Sequence, residues 1–321
     1  MEIHVLTTGR PMAHVADRLS AAFVVHNLGQ ADDPAELLKA IAPKVRAIAT
    51  AGSAGADAAL IDSLPALELI AHFGVGYDPV DVVAAARRGV VVTNTPNVLT
   101  EEVADTAMGL LLMTVRELSA AERWLRAGRW SAEGAYRLTP ASLQGRRLGI
   151  FGFGRIGKAI ARRAEAFGMT IAYHNRRPVE DVSYPYFETL EGLAAAVDTL
   201  MVVAPGGPAT FHKVDAKVLS ALGENGILVN VGRGSVVDEA ALVTALRERT
   251  ILGAGLDVFE DEPRVHPGLL EMEGTVLLPH VASASIPTRR AMGDLQVDNL
   301  FSWFRQSRPL TPVPETPWPR T

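Results

Sequence analysis

The sequence predicts an α/β fold with two doubly wound parallel-sheet domains. Short β-branched runs alternate with Ala- and Leu-rich stretches of helix length along the whole chain. Many of those runs are apolar without a break, the pattern of strands buried on both faces of a parallel sheet. A chain of 321 residues suits two domains of about 150 residues each better than one giant sheet. The expected strands are residues 3–6, 47–50, 67–71, 90–93, 148–151, 170–173, 199–203, 227–231 and 276–278. Asn94-Thr95-Pro96-Asn97 marks a turn, after which Thr100-Glu101-Glu102 opens a helix over 101–118. That helix is apolar almost all round through Val103, Ala107, Leu110, Leu111 and Val115, so it should be buried. Pro287 precedes a second long helix, with Met292, Leu295, Leu300, Trp303 and Phe304 on its apolar face. Residues 309–319 are Pro-rich and read as an extended tail. The economical arrangement has the chain leave its first domain near Asn97 and return near Pro287. Residues 1–97 with 287–321 then form one domain, and 98–286 the other.

Composition narrows the function classes. Apolar residues make up 48% and charged residues 21%, the balance of a globular protein. Thirty-one basic against thirty-six acidic residues leave a net charge of −5, which argues against gripping a nucleic-acid backbone. With no cysteine there is no disulfide, thiolate nucleophile or thiolate-held metal, and no metal site is expected. Residues 1–9 lack the basic start and apolar core of a secretory signal. The longest strongly apolar run, 106–115, is far short of the roughly 20 residues a bilayer needs. The expectation is a soluble cytoplasmic protein.

The most informative segment is Gly149-Ile150-Phe151-Gly152-Phe153-Gly154-Arg155-Ile156-Gly157-Lys158. Gly152, Gly154 and Gly157 fit G-x-G-x-x-G, directly after a strand and before a helix carrying Ile156, Ile160, Ala164 and Phe167. In such a loop the first glycine permits a tight turn and the second lets the backbone approach a pyrophosphate. The third allows close helix–strand packing, and the helix N-terminus offers free N–H groups. A P-loop is nearly matched, but Ala159 stands where the Mg²⁺-binding hydroxyl belongs. At the end of the following strand, Asn175 lies where an acidic residue would hold the 2′-hydroxyl of NAD. Asn175, Arg176 and Arg177 offer donors instead and suit the 2′-phosphate of NADP, with a solvated basic loop as the alternative.

Three further segments carry chemistry. Arg233 lies between Gly232 and Gly234, so little bulk shields its fork from a small anion. Taken alone, such an arginine more often makes a structural ion pair. Glu262 closes an acidic triplet before Pro263, which by itself reads as a solvated turn. His280 follows a buried-looking strand in a loop of small residues; a lone histidine is more often structural, but ligands collect at strand ends of such sheets. A histidine, a carboxylate and an arginine are the minimum set for reducing a 2-oxo acid.

Together these segments resemble the D-isomer-specific 2-hydroxyacid dehydrogenase family over nearly the whole chain. The resemblance rests on residues 152–158, 229–238, 255–263 and 279–283, in order and well spaced. It implies two Rossmann-like domains with an active-site cleft between them. It also implies Arg233 as substrate arginine, Glu262 as its carboxylate and His280 as acid–base. Asp257 matches the aspartate that approaches the nicotinamide amide, and the loop Phe73-Gly74-Val75-Gly76-Tyr77-Asp78 looks like the one whose Val75 and Gly76 amides hold the substrate carboxylate. Cofactor contacts are implied at Gly152, Gly154, Arg155, Ile156, Gly157, Asn175, Arg176, Arg177, Val231, Asp257 and Ala282. Ala282 stands where many members have glycine, which is expected to narrow the pocket beside the nicotinamide. The Asn175 turn is similar to the NADP-preferring glyoxylate/hydroxypyruvate reductase branch, which includes 2-ketogluconate reductases. NADPH is therefore the expected cofactor, with NADH possible. The long buried helix is expected to pair two subunits into a homodimer, and the absence of a segment after Thr321 argues against feedback-regulated phosphoglycerate dehydrogenase. The competing readings are another D-2-hydroxyacid dehydrogenase, acting on aryl pyruvates or D-lactate, and a non-catalytic nucleotide-sensing protein. A serine hydrolase is disfavoured because no G-x-S-x-G occurs.

Overall fold

The computed structural model describes residues 2–51, 54–316, 318 and 319. The chain divides into two compact units, Met1–Leu99 with Ser285–Thr321, and Thr100–Ala284.

In the first unit β1 (His4–Thr7), β2 (Val24–Asn27), β3 (Val45–Ala49), β4 (Leu69–Ala71) and β5 (Val91–Thr93) form a parallel sheet ordered β2-β1-β3-β4-β5. The connections are α1 (Ala13–Ser20), α2 (Pro34–Ile41), α3 (Ala58–Ser63) and α4 (Val82–Arg88). Asp33, Asp57 and Asp81 start α2, α3 and α4 by accepting first-turn N–H groups. Successive side chains of a strand point to opposite faces. Leu6, Ile48, Ile70 and Val92 therefore share one core, and Val5, Ala47, Leu69 and Val91 the other. Strand β2 was not among the expected strands. It is an edge strand, half-buried along its length, and Val24-Val25 runs directly into the polar His26-Asn27.

The second unit opens on α5 (Thr100–Val115), α6 (Leu118–Arg126) and α7 (Arg129–Glu133). Six parallel strands follow: β6 (Arg147–Phe151), β7 (Thr170–His174), β8 (Thr199–Val202), β9 (Ile227–Asn230), β10 (Gly253–Leu256) and β11 (Thr275–Leu277). Between them lie α8 (Arg155–Ala166), α9 (Leu190–Ala196), α10 (Ala216–Leu222), α11 (Glu239–Arg247) and α12 (Pro267–Leu270). The order β11-β10-β9-β8-β6-β7 reverses between β6 and β8, and ligands of such sheets bind at the strand C-termini beside that reversal. Strand β10 is a second omission from the expected set. Its two glycines hid it, and packing requires them: a Cβ on Gly255 would lie 2.6 Å from Thr114 Oγ1 and 2.8 Å from Leu110 Cγ. Helix α5 thus rests directly on bare backbone. The helix ends at Val115, short of the expected Leu118, because Glu117 turns left-handed (φ 50°) before α6 begins. Val103, Ala107, Leu110, Leu111 and Val115 are all buried, with α5 packed on α8, β9 and β10 of its own unit.

Residues after Ala284 return to the first unit as α13 (Ile286–Gln306), with Pro287 in its first turn and Ser285 as its cap. Helix α13 packs on α1 and β4. Its buried face includes Met292, Val297, Leu300 and Trp303, but also Gln296, which donates to the Thr50 and Ala71 carbonyls at 2.7 and 2.8 Å. Leu295 and Phe304 are only half-buried. The Pro-rich tail is docked: Pro312 bridges Thr93, and Val313 N–H donates to the Val92 carbonyl at 2.9 Å. Thr316 Oγ1 accepts the Val92 N–H at 2.8 Å; Pro317 of the expected tail lies outside the described residues. Among the described residues no helix is long and apolar enough to cross a membrane.

Candidate active site

The glycine loop sits at the sheet's reversal. Gly152 has φ 100°, and a Cβ there would lie 2.6 Å from the Ala204 nitrogen at the end of β8. A Cβ on Gly157 would meet the Gly152 carbonyl at 2.7 Å, so both glycines are needed for packing. Gly154 differs, because a Cβ there would meet nothing within 4 Å. Its missing side chain leaves an open cradle in front of α8, whose N-terminus no side chain caps. The first-turn N–H groups at Arg155, Ile156 and Gly157 remain for a ligand, the setting that takes a pyrophosphate. Ile160 and Ala164 anchor α8 in the core, while Phe167, expected on the same face, caps the helix and is 44% exposed.

The turn after β7 splits into two roles. The Asn175 carboxamide points back at the loop, accepting Phe153 N–H at 2.6 Å and donating to the Phe153 carbonyl at 3.4 Å. Its own carbonyl accepts the Tyr186 hydroxyl at 3.2 Å. The side chain expected to face a phosphate therefore braces the glycine loop. Arg176 and Arg177 are exposed, and no carboxylate among the described residues pairs with either.

Past β9, Asn230 shapes the turn that presents Arg233. Its Oδ1 accepts Gly232 N–H at 3.0 Å and its Nδ2 donates to the Arg233 carbonyl at 2.9 Å. The flanking glycines serve backbone packing more than access to an anion. A Cβ on Gly232 would meet the Ala204 carbonyl at 2.7 Å, and one on Gly234 would overlap Phe259 C at 1.8 Å. That second approach brings the Arg233 turn against the segment carrying Glu262. The Glu262 carboxylate folds back, Oε1 accepting Phe259 N–H at 3.0 Å and Oε2 meeting His280 Nδ1 at 2.7 Å. His280 itself is held left-handed (φ 51°), its N–H donating to the Asp257 carbonyl at 2.8 Å.

Burial works against ionisation of Glu262, but the hydrogen bonds from His280 and Phe259 and the charges of His280 and Arg233 outweigh it and hold its pKa below 4.5. A carboxyl depressed in the folded state stabilises the fold above its ordinary value, and that stabilisation is lost as pH falls through the folded value. The wild-type melting temperature should therefore fall more steeply between about pH 5 and about pH 3 than that of Glu262→Gln. Parallel melting curves in a pH-titrated thermal scan would remove the contact from the folded state.

Asp257 is wholly buried, and burial pushes its carboxyl up despite accepting Val281 N–H at 2.7 Å and Ala282 N–H at 3.0 Å. Both oxygens serve the loop that carries His280. Ala282 is 4% exposed, with its carbonyl on Thr106 Oγ1 at 3.2 Å. Val231 is likewise buried, at the end of β9. In the first unit, the Gly74 carbonyl accepts Thr95 N–H at 2.8 Å and the Val75 carbonyl accepts Asn94 Nδ2 at 2.8 Å. The N–H groups of Val75 and Gly76 have no acceptor among the described residues.

Residues 108–282 match the model of the D-isomer specific 2-hydroxyacid dehydrogenase NAD-binding domain. The chain belongs to the D-isomer-specific 2-hydroxyacid dehydrogenase family. It is 44% identical to glyoxylate/hydroxypyruvate reductase A of Arabidopsis thaliana, over 94% of this chain and 96% of that one. It is 41% identical to the 2-ketogluconate reductase of Gluconobacter oxydans, over 96% and 98%. An NADPH-dependent glyoxylate/hydroxypyruvate reductase from Sinorhizobium meliloti, solved with NADP and malonate, superposes with a TM-score of 0.95 at 56% identity, covering 100% and 99% of the two chains.

In this dehydrogenase the sequence identified residue types at strand ends better than it identified their partners. Asn230 carries an ordinary local signal, an Asn at a strand end two residues before a glycine, for a side chain that closes its own turn. The work of Asp257 on the Val281 and Ala282 amides spans more than twenty residues and leaves no local trace.

Proposed function

We propose that this dehydrogenase is an NADPH-dependent reductase that converts small 2-oxo acids to D-2-hydroxy acids, with glyoxylate and hydroxypyruvate as first candidates and 2-ketogluconate next. The observation that carries the proposal is the 2.7 Å contact of His280 Nδ1 with a Glu262 carboxylate that Arg233 helps to keep ionised. An ionised carboxylate only accepts, so Nδ1 carries the hydrogen and the ring is oriented with Nε2 as its working atom. Similarity to reductases of glyoxylate, hydroxypyruvate and 2-ketogluconate supports the substrate class.

The residues fit a nicotinamide dinucleotide. The cradle at Gly154 and the uncapped N-terminus of α8 suit its pyrophosphate, and the exposed Arg176 and Arg177 suit a 2′-phosphate. When bound in reduced form, that cofactor supplies a hydride to the substrate's carbonyl carbon. His280 Nε2 gives a proton to the carbonyl oxygen as negative charge develops there. Glu262 offsets the charge on the imidazolium and keeps the ring in place. Arg233 engages the carboxylate and polarises the carbonyl, and the Val75 and Gly76 amides take carboxylate oxygens. The His280 side chain is 48% exposed, so solvent can replace its proton between turnovers. A cytoplasmic location belongs to the same reading, as does the lack of a nucleic-acid partner, which the net charge of −5 supports.

The test is an initial-rate panel of glyoxylate, hydroxypyruvate, 2-ketogluconate and an aryl pyruvate, each with NADPH and NADH. Oxidation of NADPH by at least one of the first three acids supports the reading. No turnover with any acid overturns it.

A homodimer is part of the proposal, but its support lies away from α5, whose apolar face its own unit covers. Helices α6 and α7 bury no side chain. Beside them Leu125, Trp130 and Leu138 are 54%, 62% and 95% exposed, an apolar surface that a second copy would cover. Sedimentation at micromolar concentration should give twice the 34.3 kDa chain mass, and Trp130→Asp with Leu125→Asp should return it to one. A monomer in the unmodified protein would end this part of the proposal.

A further inference from the structure

The loop following β4 is held by an unusual arrangement of side chains that the catalytic proposal does not use. His72 is 3% exposed, and its backbone N–H donates to the Thr93 carbonyl at 2.8 Å. Its Nε2 lies 2.9 Å from the Gly76 carbonyl and its Nδ1 lies 2.9 Å from Thr50 Oγ1. A carbonyl only accepts, so Nε2 carries the hydrogen; in the neutral ring Nδ1 then accepts the Thr50 hydroxyl. Thr50 Oγ1 in turn accepts Phe73 N–H at 3.1 Å. The imidazole leaves no room for a side chain at the next turn, since a Cβ on Gly74 would lie 2.9 Å from His72 Nε2.

The consequence follows from the planarity of the peptide bond. A trans peptide fixes the N–H of one residue opposite the carbonyl of the residue before it. Thr95 N–H on the Gly74 carbonyl therefore sets the Val75 amide, Asn94 Nδ2 on the Val75 carbonyl sets the Gly76 amide, and His72 on the Gly76 carbonyl sets the Tyr77 amide. None of these three N–H groups has an acceptor among the described residues. With their carbonyls held, the three donors are oriented before any ligand arrives, so little reorganisation is needed when charge does. A donor on each carbonyl also polarises its peptide and strengthens the N–H as a donor.

Asn94 is braced as firmly as His72. Its N–H donates to the Thr311 carbonyl at 3.3 Å, its carbonyl accepts Thr311 Oγ1 at 2.6 Å, and Thr311 Oγ1 accepts Asn299 Nδ2 at 2.9 Å. We infer that His72 and Asn94, with Thr50 relaying His72 to Phe73, are positioning residues that align the Val75, Gly76 and Tyr77 amides for a carboxylate. Neither touches the ligand. The inference rests on the reading that this loop binds the substrate's carboxylate.

The test separates binding from chemistry. His72→Leu and Asn94→Ala should each raise the KM for glyoxylate about 5- to 20-fold, the span expected for one lost hydrogen bond to a preorganised group. The NADPH KM should stay within about twofold and kcat should change far less than KM. His72→Gln, which keeps a donor for the Gly76 carbonyl, should recover most of the loss. Calorimetric binding of oxamate to the NADPH-loaded protein reads the same cradle without turnover and should weaken in parallel. If His72→Leu does not fold, Asn94→Ala, with a half-buried side chain, decides the matter. Oxamate affinity and glyoxylate KM within twofold of wild type in folded variants would overturn the inference while leaving the reductase reading intact. A wild type that turns over no acid yet binds oxamate, with the variants weakened, would leave the inference standing and sink the reductase reading. A wild type that binds no oxamate would overturn the inference, and one that also turns over no acid would overturn both.

Discussion

His280→Ala is expected to lose about 10²- to 10⁴-fold in the rate of 2-oxo acid reduction while still binding NADPH. The loss is large because proton transfer to the carbonyl oxygen must accompany hydride arrival, and water is a poor, unoriented substitute. The fold should survive. Alanine keeps the Cβ, and the bond holding the left-handed backbone of residue 280 runs from its N–H to the Asp257 carbonyl, so it is indifferent to the side chain. NADPH affinity should hold because the cradle at Gly154 and the N-terminus of α8 are formed by other segments. The pair of measurements is decisive: single-turnover rate and NADPH dissociation constant. Activity within a few-fold of wild type would take His280 out of the chemistry, whereas equal loss of rate and cofactor affinity would make it a structural residue.

The second large effect concerns cofactor choice. Changing Arg176 and Arg177 together to alanine should reduce kcat/KM with NADPH by about 10- to 10³-fold and leave NADH nearly untouched. The 2′-phosphate is largely dianionic at neutral pH and has no counterpart in NADH. Both guanidinium groups are exposed with no carboxylate partner among the described residues, so no ion pair must break before they engage it. Exposure also screens them: the preference should shrink with added salt, and sulfate should compete with NADPH more than with NADH. Asn175 belongs to a different experiment. Because it braces Phe153, Asn175→Ala should weaken both cofactors together, which distinguishes loop support from phosphate recognition. Equal kcat/KM for NADPH and NADH in the unmodified protein at low salt would sink this assignment.

What the sequence disclosed was set by how local each signal is. Strands buried on both faces, such as Ile227–Asn230, announce themselves as unbroken apolar runs. Gly253–Leu256 does not, because Gly255 answers to Thr114 and Leu110 on a helix more than a hundred residues earlier, and Gly253 to the Gly274 carbonyl. The same division holds at the site. Arg233, Glu262 and His280 lie in short segments with recognisable residue types, and the structure brings Glu262 and His280 into contact. The glycines beside Arg233 were visible, but their cause, the passing backbones of Ala204 and Phe259, was not. Thr50, His72 and Asn94 each sit at the end of a strand in a different part of the sequence. Only the sheet order, which sets β3, β4 and β5 side by side, makes neighbours of them.

The return of the chain to its first unit dictates an order of assembly. A ribosome delivers β1 to β5 long before α13, yet Val297, Leu300 and Trp303 of that helix complete the core formed by Val5, Ala47, Leu69 and Val91. Until residue 306 emerges, that face of the five-stranded sheet has Val15 and Leu19 of α1 against it but lacks the cover of α13, and part of its apolar surface stays open. The second unit, Thr100–Ala284, is continuous and carries no such debt. Nascent chains should therefore acquire protease resistance in the middle of the sequence first, reversing the usual N-terminal precedence. The exposed N-terminal sheet is the part for which a chaperone would have to wait.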